Sequence, residues 1–507
     1  MELLSEGAIL WPALFALIVV LVLLLLLQKS LHPSNLPPGP RHVPVLGNLL
    51  VLGKNPHRSL ARLARIHGPV MSLKLGSIHA VVISSPSSAR EALKSKDSSF
   101  SDRHVPDTVR AHGHNEVSLA WTSPNKSWRY LRTLLKTHLF SSPALDASQS
   151  LRRRKVQELV TYIKELDGEA VKIGQAAFCT VLNLISSTFL SINVVDFKSE
   201  SAQEFQELIC GIMEEAGRPN VSDYFPLLAP MDLQGRRRRF AAYFQKLFDL
   251  FDQIIDIRLE ETAVGEAARK NNNPDILDVL LQLSREDSSN LSRQKIKSFI
   301  MDSFAAGSDT SSTTLEWAMA ELLHQPKLMK KARAEISQVI GFEREVEESD
   351  ISKLPFLQAV LKETLRLHPP LPLLLPHKTG SETELNGYAV PENTMVIFNV
   401  WAIGRDDRVW KNPDCFVPER FMGLDEDVDF RGQHFDLIPF GSGRRVCPGL
   451  SLGVRMVQLM LASLIQSFEW RLPDDVAPEA LDLREMFGLT VVMASPLVAI
   501  ATPNPVY

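Results

Sequence analysis

Hydrophobic residues follow one another without interruption near the start of the chain. From Ala8 to Leu27 the sequence carries no charged residue. A helix of this length spans the hydrocarbon core of a bilayer, which is roughly 30 Å thick. A cleaved signal peptide is the alternative, but the run is long for one, and it lacks both a basic segment before it and a small-residue cleavage site. The pattern therefore predicts one N-terminal transmembrane helix.

Charges on either side of this run predict its orientation. Acidic Glu2 and Glu6 precede it, whereas Lys29, His32 and Arg41 follow it. Basic residues favour the cytosolic side of a membrane. We therefore expect the N-terminal tail in the lumen and everything after the helix in the cytosol.

A proline-rich stretch separates the hydrophobic run from the remainder of the chain. The sequence "LPPGP" occupies Leu36 to Pro40. Prolines fix φ and favour an extended, semi-rigid spacer. The chain thus divides into a membrane anchor (1–30), a hinge (31–40) and one large soluble domain (41–507).

In the large domain the spacing of apolar positions is mostly helical. Alternation around Gly76 and Ser77 predicts a β-hairpin. Helical periodicity is found in residues 89–96, 204–215, 240–257, 293–324 and 354–367, and strand-like segments in residues 395–399 and 489–494. Strands and helices do not alternate as they do in a doubly wound sheet. The expected fold class is therefore mainly α with small β sheets (α+β).

Composition narrows the class of protein. Of the 507 residues, 45 % are hydrophobic and 22 % are charged, which is typical of a globular protein with a large core. The net charge of −4 gives no indication of a nucleic-acid partner. Four cysteines are too few for a disulfide framework and indicate a reducing compartment. The basic clusters 152–155 and 236–239 predict solvated helix faces or turns, with an acidic partner or lipid head groups as the alternative.

The stretch "PFGSGRRVCPG", residues 439–449, contains a cysteine in an unusual setting. Cys447 has no second cysteine nearby for a disulfide or a zinc site. Pro448 and the apolar residues after it predict a buried helix with Cys447 at its N-terminus. There the helix dipole and the free N–H groups should lower the pKa of the thiol.

Small and basic residues around Cys447 indicate the shape and charge of a ligand. Arg445 can pair with a carboxylate, and glycines let the backbone approach a large flat molecule; these are Gly441, Gly443 and Gly449. A thiolate, a planar partner and anionic edges together indicate a haem ligated by cysteine. For the thiol taken alone, a nucleophilic role is the alternative.

Five residues of this stretch resemble the haem-binding signature of the cytochrome P-450 family, Phe-x-x-Gly-x-Arg-x-Cys-x-Gly. They are Phe440, Gly443, Arg445, Cys447 and Gly449. The resemblance implies haem b as the cofactor, Cys447 as the axial ligand of its iron, and the other four as haem-binding residues. It also implies the cytochrome P-450 fold for the large domain, which would be a haem-thiolate monooxygenase domain.

A second resemblance lies in "LKETLRLHPP" and "FVPERF". Glu363 and Arg366 are one helical turn apart and can form an ion pair, which is a common surface feature. With Arg420 they resemble the buried Glu-Arg-Arg network of the family. Such a network implies a role in folding and not in catalysis.

The stretch "AAGSDTSS", 305–312, lies in the middle of the longest helical pattern. Glycine and consecutive hydroxyl residues disfavour a regular helix, which predicts a local opening; a loop or an N-cap is the alternative. The stretch resembles the oxygen-binding groove of the family. The resemblance implies that Ala306 and Gly307 make room for O2, that Thr310 holds a hydrogen-bonded water, and that Asp309 helps to relay protons.

A third motif, "WRYLR", places Trp128 and Arg132 four residues apart on one helical face. The resemblance implies that both contact the carboxylates of the haem, together with Arg445 and His377. Planar, permanently charged guanidinium groups suit carboxylates best, which favours the arginines.

The resemblance extends over essentially the whole chain. Within it, residues 220–239 and 369–379 most resemble plant microsomal members of the family, in particular geraniol hydroxylases and ferruginol synthase. The resemblance implies a single-pass protein of the endoplasmic reticulum membrane with a cytosolic catalytic domain. The enzyme would insert one atom of O2 into a C–H bond of an apolar plant metabolite, expected to be a terpenoid. Its partners would be membrane lipid and an NADPH-dependent reductase, because the chain has no nucleotide-binding fingerprint.

Other functions compete with this one. An alkaloid or phenolic substrate would use the same chemistry. A relative that rearranges an oxygenated substrate would need no proton relay, which the Asp309–Thr310 pair argues against. A haem- or lipid-binding membrane protein without turnover is an alternative of another class.

Overall fold

The computed structural model of the protein describes residues 35–504, apart from 198–199, 265–273, 289, 424–427 and 474–475. The predicted membrane anchor (1–30) and the start of the predicted hinge lie outside the described residues. The rest of the chain follows the expected class, with many helices and small β sheets.

Helices form most of the described chain, and short 3-10 segments connect several of them. In chain order the α-helices are α1 (Leu49–Leu52), α2 (Pro56–His67), α3 (Pro86–Arg90), α4 (Asp97–Phe100), α5 (His114–Val117), α6 (Lys126–His138), α7 (Ser142–Ala147), α8 (Gln149–Glu165), α9 (Ile173–Leu190), α10 (Glu200–Gly217), α11 (Val221–Tyr224), α12 (Arg236–Val264), α13 (Ile276–Glu286), α14 (Arg293–His324), α15 (Pro326–Val339), α16 (Glu348–Ile351), α17 (Pro355–Leu367), α18 (Val400–Ile403) and α19 (Leu450–Ser467). A π-helical turn, Glu91–Ser95, continues α3.

The strands are short and form four small sheets. They are β1 (Val70–Leu75), β2 (Ile78–Ile83), β3 (Asp102–Arg103), β4 (Ala170–Lys172), β5 (His377–Lys378), β6 (Thr383–Leu385), β7 (Tyr388–Val390), β8 (Met395–Phe398), β9 (Phe468–Arg471), β10 (Glu485–Met486), β11 (Val492–Met493) and β12 (Val498–Pro503). The largest sheet has the order β1-β2-β8-β5-β3, the second β4-β12-β9, and two hairpins pair β6 with β7 and β10 with β11. Only the β2–β8 pair of the largest sheet is parallel.

The predicted hairpin around Gly76 is confirmed. Strands β1 and β2 pair in antiparallel register up to Leu75 and Ile78, so that Gly76 and Ser77 form a two-residue turn. Gly76 has φ of +60°, which a residue without a Cβ adopts without strain. The predicted strand 395–399 appears as β8, whereas in 489–494 only Val492 and Met493 are assigned to a strand.

Helix α14 runs through the centre of the domain, with the same bounds as its predicted pattern. The Ser292 side chain accepts a hydrogen bond from the Lys295 N–H and caps its start. Every residue from Ser311 to Leu323 is buried, and α14 packs against α9 and α19. This central position explains why its sequence has small side chains where other helices cross it.

Two helices of the described chain, α9 and α19, are long and apolar enough to cross a membrane. Most of each is buried inside the domain. They are core helices, and they say nothing about the predicted N-terminal anchor.

The two basic clusters are solvated only in part: Arg153, Arg154, Arg238 and Arg239 are exposed as expected, whereas the other four residues are buried or half-buried, which corrects the expectation for them. Arg152 is fully buried and binds Glu348 through two nitrogens. Arg236 and Arg239 both bind Glu215. Because these cations have partners within the chain, neither an acidic protein nor a lipid head group is needed to explain them.

A buried ion network joins α17 to the loop after α18. Both side chains of the Glu363–Arg366 pair are 0 % exposed, with Arg366 Nε and Nη2 donating to the two carboxylate oxygens at 2.7 and 2.8 Å. Arg420 Nε donates to Glu363 Oε1 at 3.0 Å. Arg366 Nη1 donates to the carbonyl oxygens of Gly404 and Pro413. The three predicted residues therefore form one network that ties the loop after α18 to a core helix.

Replacing Glu363 with alanine should destabilise the domain strongly, because it leaves two guanidinium groups inside the protein without a counter-charge. Breaking a buried pair costs about 3–5 kcal/mol, a large share of the stability of a domain. Urea unfolding and the yield of haem-loaded protein measure the effect. The control is Glu382→Ala, since Glu382 is exposed. Equal stability of the two variants would contradict a structural role for the network.

Candidate active site

Cys447 lies in a tightly folded segment just before α19. Its N–H donates to the Phe440 carbonyl oxygen at 3.0 Å, which closes a loop around the intervening glycines. Gly443 has φ of +67°, and a Cβ there would overlap the Leu93 carbonyl oxygen. A larger residue at 443 would therefore displace the loop. The thiol of Cys447 is half-buried.

The electrostatics of this thiol differ from the expectation. The N–H groups of Gly449 and Leu450 and the charge of Arg132 favour the thiolate, but burial outweighs them and raises the pKa of Cys447. The expected net lowering of the Cys447 pKa is therefore wrong for the chain without a bound metal. Removing a thiolate from water destabilises it more than the N–H groups of the helix start stabilise it. A metal ion deprotonates a thiol that coordinates it and would supply the missing stabilisation.

Arg445 is the centre of a buried cationic cluster. Its Nε and Nη2 donate to the carbonyl oxygens of Ser101 and Thr122 at 2.8 and 2.6 Å. Its Nη1 is buried and has no hydrogen-bond partner within the described chain. The guanidinium lies 4.7 Å from the ring of Trp128, and burial together with the charge of Arg132 lowers the pKa of Arg445 to about 10.

A third guanidinium, Arg103, belongs to the same cluster and was missed by the sequence analysis. It is buried on β3, and its Nε and Nη1 donate to the carbonyl oxygens of Ala120 and Leu375. Burial and the charge of Arg445 lower the pKa of Arg103 well below its usual range. A single arginine in a two-residue strand carries no local signal, and only the pairing of β3 with β5 brings it here.

The structure brings Trp128 and His377 to this cluster with their N–H donors already used. Trp128 Nε1 donates to the Leu119 carbonyl oxygen at 3.0 Å. The Nδ1 of His377 lies 2.7 Å from the Phe100 carbonyl oxygen, an acceptor only, so Nδ1 carries the proton. Burial and the charge of Arg103 lower the pKa of His377 well below its usual range. In the structure these two N–H groups bind backbone carbonyls, and the haem contacts that the resemblance implied for Trp128 and His377 stay predictions.

The cluster fits the anionic edge of haem b. Within the described chain, Arg103, Arg132 and Arg445 donate to backbone carbonyls and to no carboxylate. The nearby carboxylates bind elsewhere, Asp97 to Arg444 and Asp102 to Lys378. A buried excess of positive charge, with one nitrogen unpaired, suits the two carboxylates of a haem.

On α14, the predicted oxygen groove has an unexpected conformation. The helix continues from Arg293 to His324 without interruption, so the expected local opening is not observed. The Thr310 hydroxyl donates to the Ala306 carbonyl oxygen at 2.7 Å, one turn earlier. Ala306 is exposed although Phe304 and Ala305 are buried, so its face of the helix is accessible to a ligand.

Gly307 lies against α9, and Asp309 lies close to Thr490. A Cβ on Gly307 would lie 2.7 Å from Ile185 Cδ1, so this glycine allows α9 and α14 to approach closely. Burial raises the pKa of Asp309, and Thr490, which lies against the carboxyl, acts in the opposite direction. A raised pKa lies closer to neutral pH than that of an ordinary aspartate, which favours proton exchange by this carboxyl.

The cysteine segment and the groove belong to helices in direct contact. A Cβ on Gly453, in the first turn of α19, would lie 3.8 Å from the Ser311 hydroxyl of α14. Arg132 Nη1 donates to the Val446 carbonyl oxygen at 2.9 Å and joins α6 to the same place. The structure thus gathers the cysteine, the guanidinium groups and the exposed face of α14 around one region.

This combination fits a haem held through a cysteine and charge-paired by arginines. A sequence model of the cytochrome P450 family matches residues 37–498, and the chain belongs to this family. It is accordingly a monooxygenase that uses haem b with a cysteine thiolate as the axial ligand.

Several characterised relatives are similar along nearly their whole length. Geraniol 8-hydroxylase of Swertia mussotii is 48 % identical over 476 residues, which cover 94 % of this chain and 95 % of the relative. Cytochrome P450 76C4 of Arabidopsis thaliana is 48 % identical over 476 residues, with 93 % of each chain covered. Drimenol monooxygenase of Persicaria hydropiper is 45 % identical over 481 residues, with 94 % of each chain covered.

Cys447→Ser should abolish the spectrum of a thiolate-ligated haem in the reduced, carbon monoxide-bound protein, because a serine hydroxyl does not replace the thiolate. Absorbance difference spectra measure this directly. Cys415→Ser is the matched control, since that thiol is exposed and lies in another loop. A thiolate-type spectrum in Cys447→Ser would show that another residue ligates the iron.

Proposed function

We propose that this protein is a membrane-anchored monooxygenase that hydroxylates an apolar terpenoid with O2 and electrons from NADPH. The observation that carries the proposal is the placement of the Thr310 face of α14 beside the helix that follows Cys447. Haem iron with a thiolate ligand, when bound there, supplies the activation of O2. The protein residues hold the haem, exclude water and deliver protons.

Particular residues of the chain would carry out these tasks. Cys447 would ligate the iron, and Arg103, Arg132 and Arg445 would bind the haem carboxylates. Ala306 would leave space for O2 at the exposed face of α14, since a methyl is the smallest side chain with a Cβ. Thr310 would hold a water molecule, and Asp309, whose carboxyl has a raised pKa, would exchange protons with it.

An apolar substrate is supported by the exposed Ala306 and by the apolar character of the helices beside it. Phe304, Ile209 and Ile212 are core residues of α14 and α10, which pack against each other. Burial of a terpenoid against apolar side chains is driven by the hydrophobic effect, at about 25 cal/mol per Å². Two of the relatives are named for oxidising geraniol and drimenol, both terpenoids.

Attachment to the endoplasmic reticulum membrane is supported by the uncharged run before residue 30 and by an exposed apolar patch on the body. The patch consists of Val43, Val45, Leu46, Leu50, Val51, Leu227, Met231 and Leu233. Leu227 is 95 % exposed. The N–H groups of Gly76 and Ser77 donate to the Leu46 and Tyr224 carbonyl oxygens, so the hairpin turn holds both halves of the patch together. Such a surface suits the interface of a bilayer.

A separate reductase is proposed as the electron donor. The sequence has no dinucleotide-binding or P-loop fingerprint, so NADPH needs another protein. The proposed division of the chain is accordingly an anchor (1–30), a hinge (31–40) and one monooxygenase domain (41–507).

Thr310→Ala should uncouple NADPH oxidation from product formation while haem and substrate binding persist. The variant loses the hydroxyl that would hold the proton-donating water, so reduced oxygen leaves as hydrogen peroxide. General acid–base catalysis typically contributes about 10²–10⁴-fold, so product per NADPH should fall by an order of magnitude or more. NADPH, peroxide and product are measured together, with reductase supplied and geraniol as the probe substrate.

Thr314→Ala is the control for this experiment. The Thr314 hydroxyl makes the same bond one turn further on, to the Thr310 carbonyl oxygen at 2.7 Å, but its side chain is buried in the core. Unchanged coupling in Thr310→Ala, or an equal loss in both variants, would contradict the proposed proton delivery.

A chain that starts at His32 should lose integral membrane insertion and keep its haem. Residual attachment through the patch should fall further in Leu227→Glu of the shortened chain, because a carboxylate is poorly tolerated in the interface. Alkaline extraction and vesicle flotation measure the two steps. Ile66→Glu is the control, since Ile66 is exposed but lies at the far end of α2 from α1. Resistance of the shortened chain to alkaline extraction would place the anchor elsewhere.

A further inference from the structure

Glu485, on the short strand β10, carries a carboxylate that is only 2 % exposed and is bound from two separate helices. His57 Nε2 lies 3.1 Å from Glu485 Oε2, and Arg58 Nε and Nη2 donate to the same oxygen at 2.9 and 2.6 Å. From α18, Trp401 Nε1 donates to Oε1 at 3.3 Å. His368 Nδ1 lies 3.8 Å from Oε1. The carboxylate thus joins β10 to α2, to α18 and to the end of α17.

The hairpin that begins at Glu485 has little backbone pairing of its own. Strands β10 and β11 share two residue pairs, Glu485 with Met493 and Met486 with Val492. A two-stranded ladder this short is not stable by itself in water. The position of the segment between the strands therefore depends on contacts outside the ladder, which are the hydrogen bond from the Val491 N–H to the Pro370 carbonyl oxygen at 2.8 Å and several side-chain contacts. Phe487 makes one of them, since its ring stacks on His57 with centroids 5.4 Å apart.

The residues between the two strands reach the candidate active site. Leu489 packs against the backbone of Gly217 at the end of α10, where a Cβ would overlap the Leu489 N–H. Thr490 lies close to the Asp309 carboxyl, and its buried hydroxyl has no hydrogen-bond partner in the described chain. The Val491 carbonyl oxygen accepts a hydrogen bond from the Thr313 hydroxyl at 3.3 Å. One end of the hairpin is therefore fixed to α2 and α18, and the other touches α10 and α14.

We propose that Glu485 is a positioning residue that fixes the β10–β11 hairpin, so that Leu489 closes the substrate pocket and Thr490 meets Asp309. Through these two contacts Glu485 determines both the fit of the substrate and the delivery of protons. The second consequence rests on the proposed function, because it assumes that Asp309 relays protons. The first needs only that Leu489 borders the substrate.

The chemistry of the donors explains why a carboxylate is needed at this position. His57, Arg58 and Trp401 all present N–H groups, and a carboxylate accepts at both oxygens. Glutamine has nearly the same shape but one acceptor and one NH2 donor. In Glu485→Gln the NH2 group must face either α2 or α18, where it meets another donor. The hydrogen bonds of Glu485 to one of the two helices are then lost, without a change in side-chain volume.

Hydrogen–deuterium exchange of the haem-loaded, full-length protein tests the role of Glu485 without any substrate. Glu485→Gln should raise the exchange rate of the peptide covering 487–493 by about ten-fold or more, since local opening becomes easier. Exchange in α19 should not change. The control is Glu479→Gln, the same substitution at an exposed position six residues earlier. Equal exchange of the hairpin in both variants would overturn the proposal.

A milder variant covers the case in which Glu485→Gln does not retain haem. Arg58 is half-exposed, so Arg58→Gln should fold, and it removes two of the hydrogen bonds to Glu485. Exchange of the hairpin should rise in the same direction by a smaller factor. Arg62→Gln, one turn further along α2 at an exposed position, is its control. Equal exchange rates of the hairpin in these two variants would also count against the proposed role of Glu485.

Turnover with geraniol as the probe separates the two consequences. Leu489→Ala should raise KM with little effect on coupling, and Thr490→Val should lower product per NADPH with little effect on KM. Glu485→Gln should do both. Faster exchange with unchanged KM and coupling would show that the hairpin does not position these contacts. If the wild-type protein leaves geraniol unoxidised, geraniol is not its substrate and the turnover test moves to drimenol, whereas the exchange experiment still decides the role of Glu485.

Discussion

Three guanidinium groups, those of Arg103, Arg132 and Arg445, lie together in the interior without a carboxylate bonded to any of them in the described chain. Keeping cations out of water costs several kcal/mol each unless an anion compensates. The backbone carbonyls around them supply only partial charges. Binding of a dianionic cofactor therefore stabilises the surrounding loops as well as the site, and folding and cofactor binding are thermodynamically linked. Much of the architecture around α6, β3 and the cysteine segment depends on this charge balance.

Local patterns in the sequence predict the parts of the fold that depend on local physics. The bounds of α14 agree with the periodicity because Ser292 caps its start and apolar positions continue to His324. The two-residue turn at Gly76 follows from backbone geometry alone. The Glu363–Arg366 pair is close in sequence, so helical spacing already places the two side chains together. Arg420 is distant from this pair in the chain, and only the resemblance to the family predicted that it belongs to the same network.

Other features depend on contacts that no local pattern contains. Arg103 reaches the cationic cluster only because β3 pairs with β5, more than 270 residues away in the chain. The net pKa of Cys447 is set by burial, which the sequence around it does not quantify. The buried Arg152 was expected on a solvated face because its partner, Glu348, is likewise remote. The assigned roles of the site residues remain predictions that follow from the family and from this geometry.

The hydrogen bond from Thr310 to Ala306 limits what this threonine can contribute. A hydroxyl has a single proton, and that proton already lies between Thr310 Oγ1 and a carbonyl oxygen. What remains are the two lone pairs, so Thr310 can orient a neighbouring water only by accepting from it. The water keeps its second hydrogen directed outwards, and the proton that moves is never the one belonging to the threonine. Serine at this position would preserve this arrangement, whereas valine, although equal in shape, would remove it.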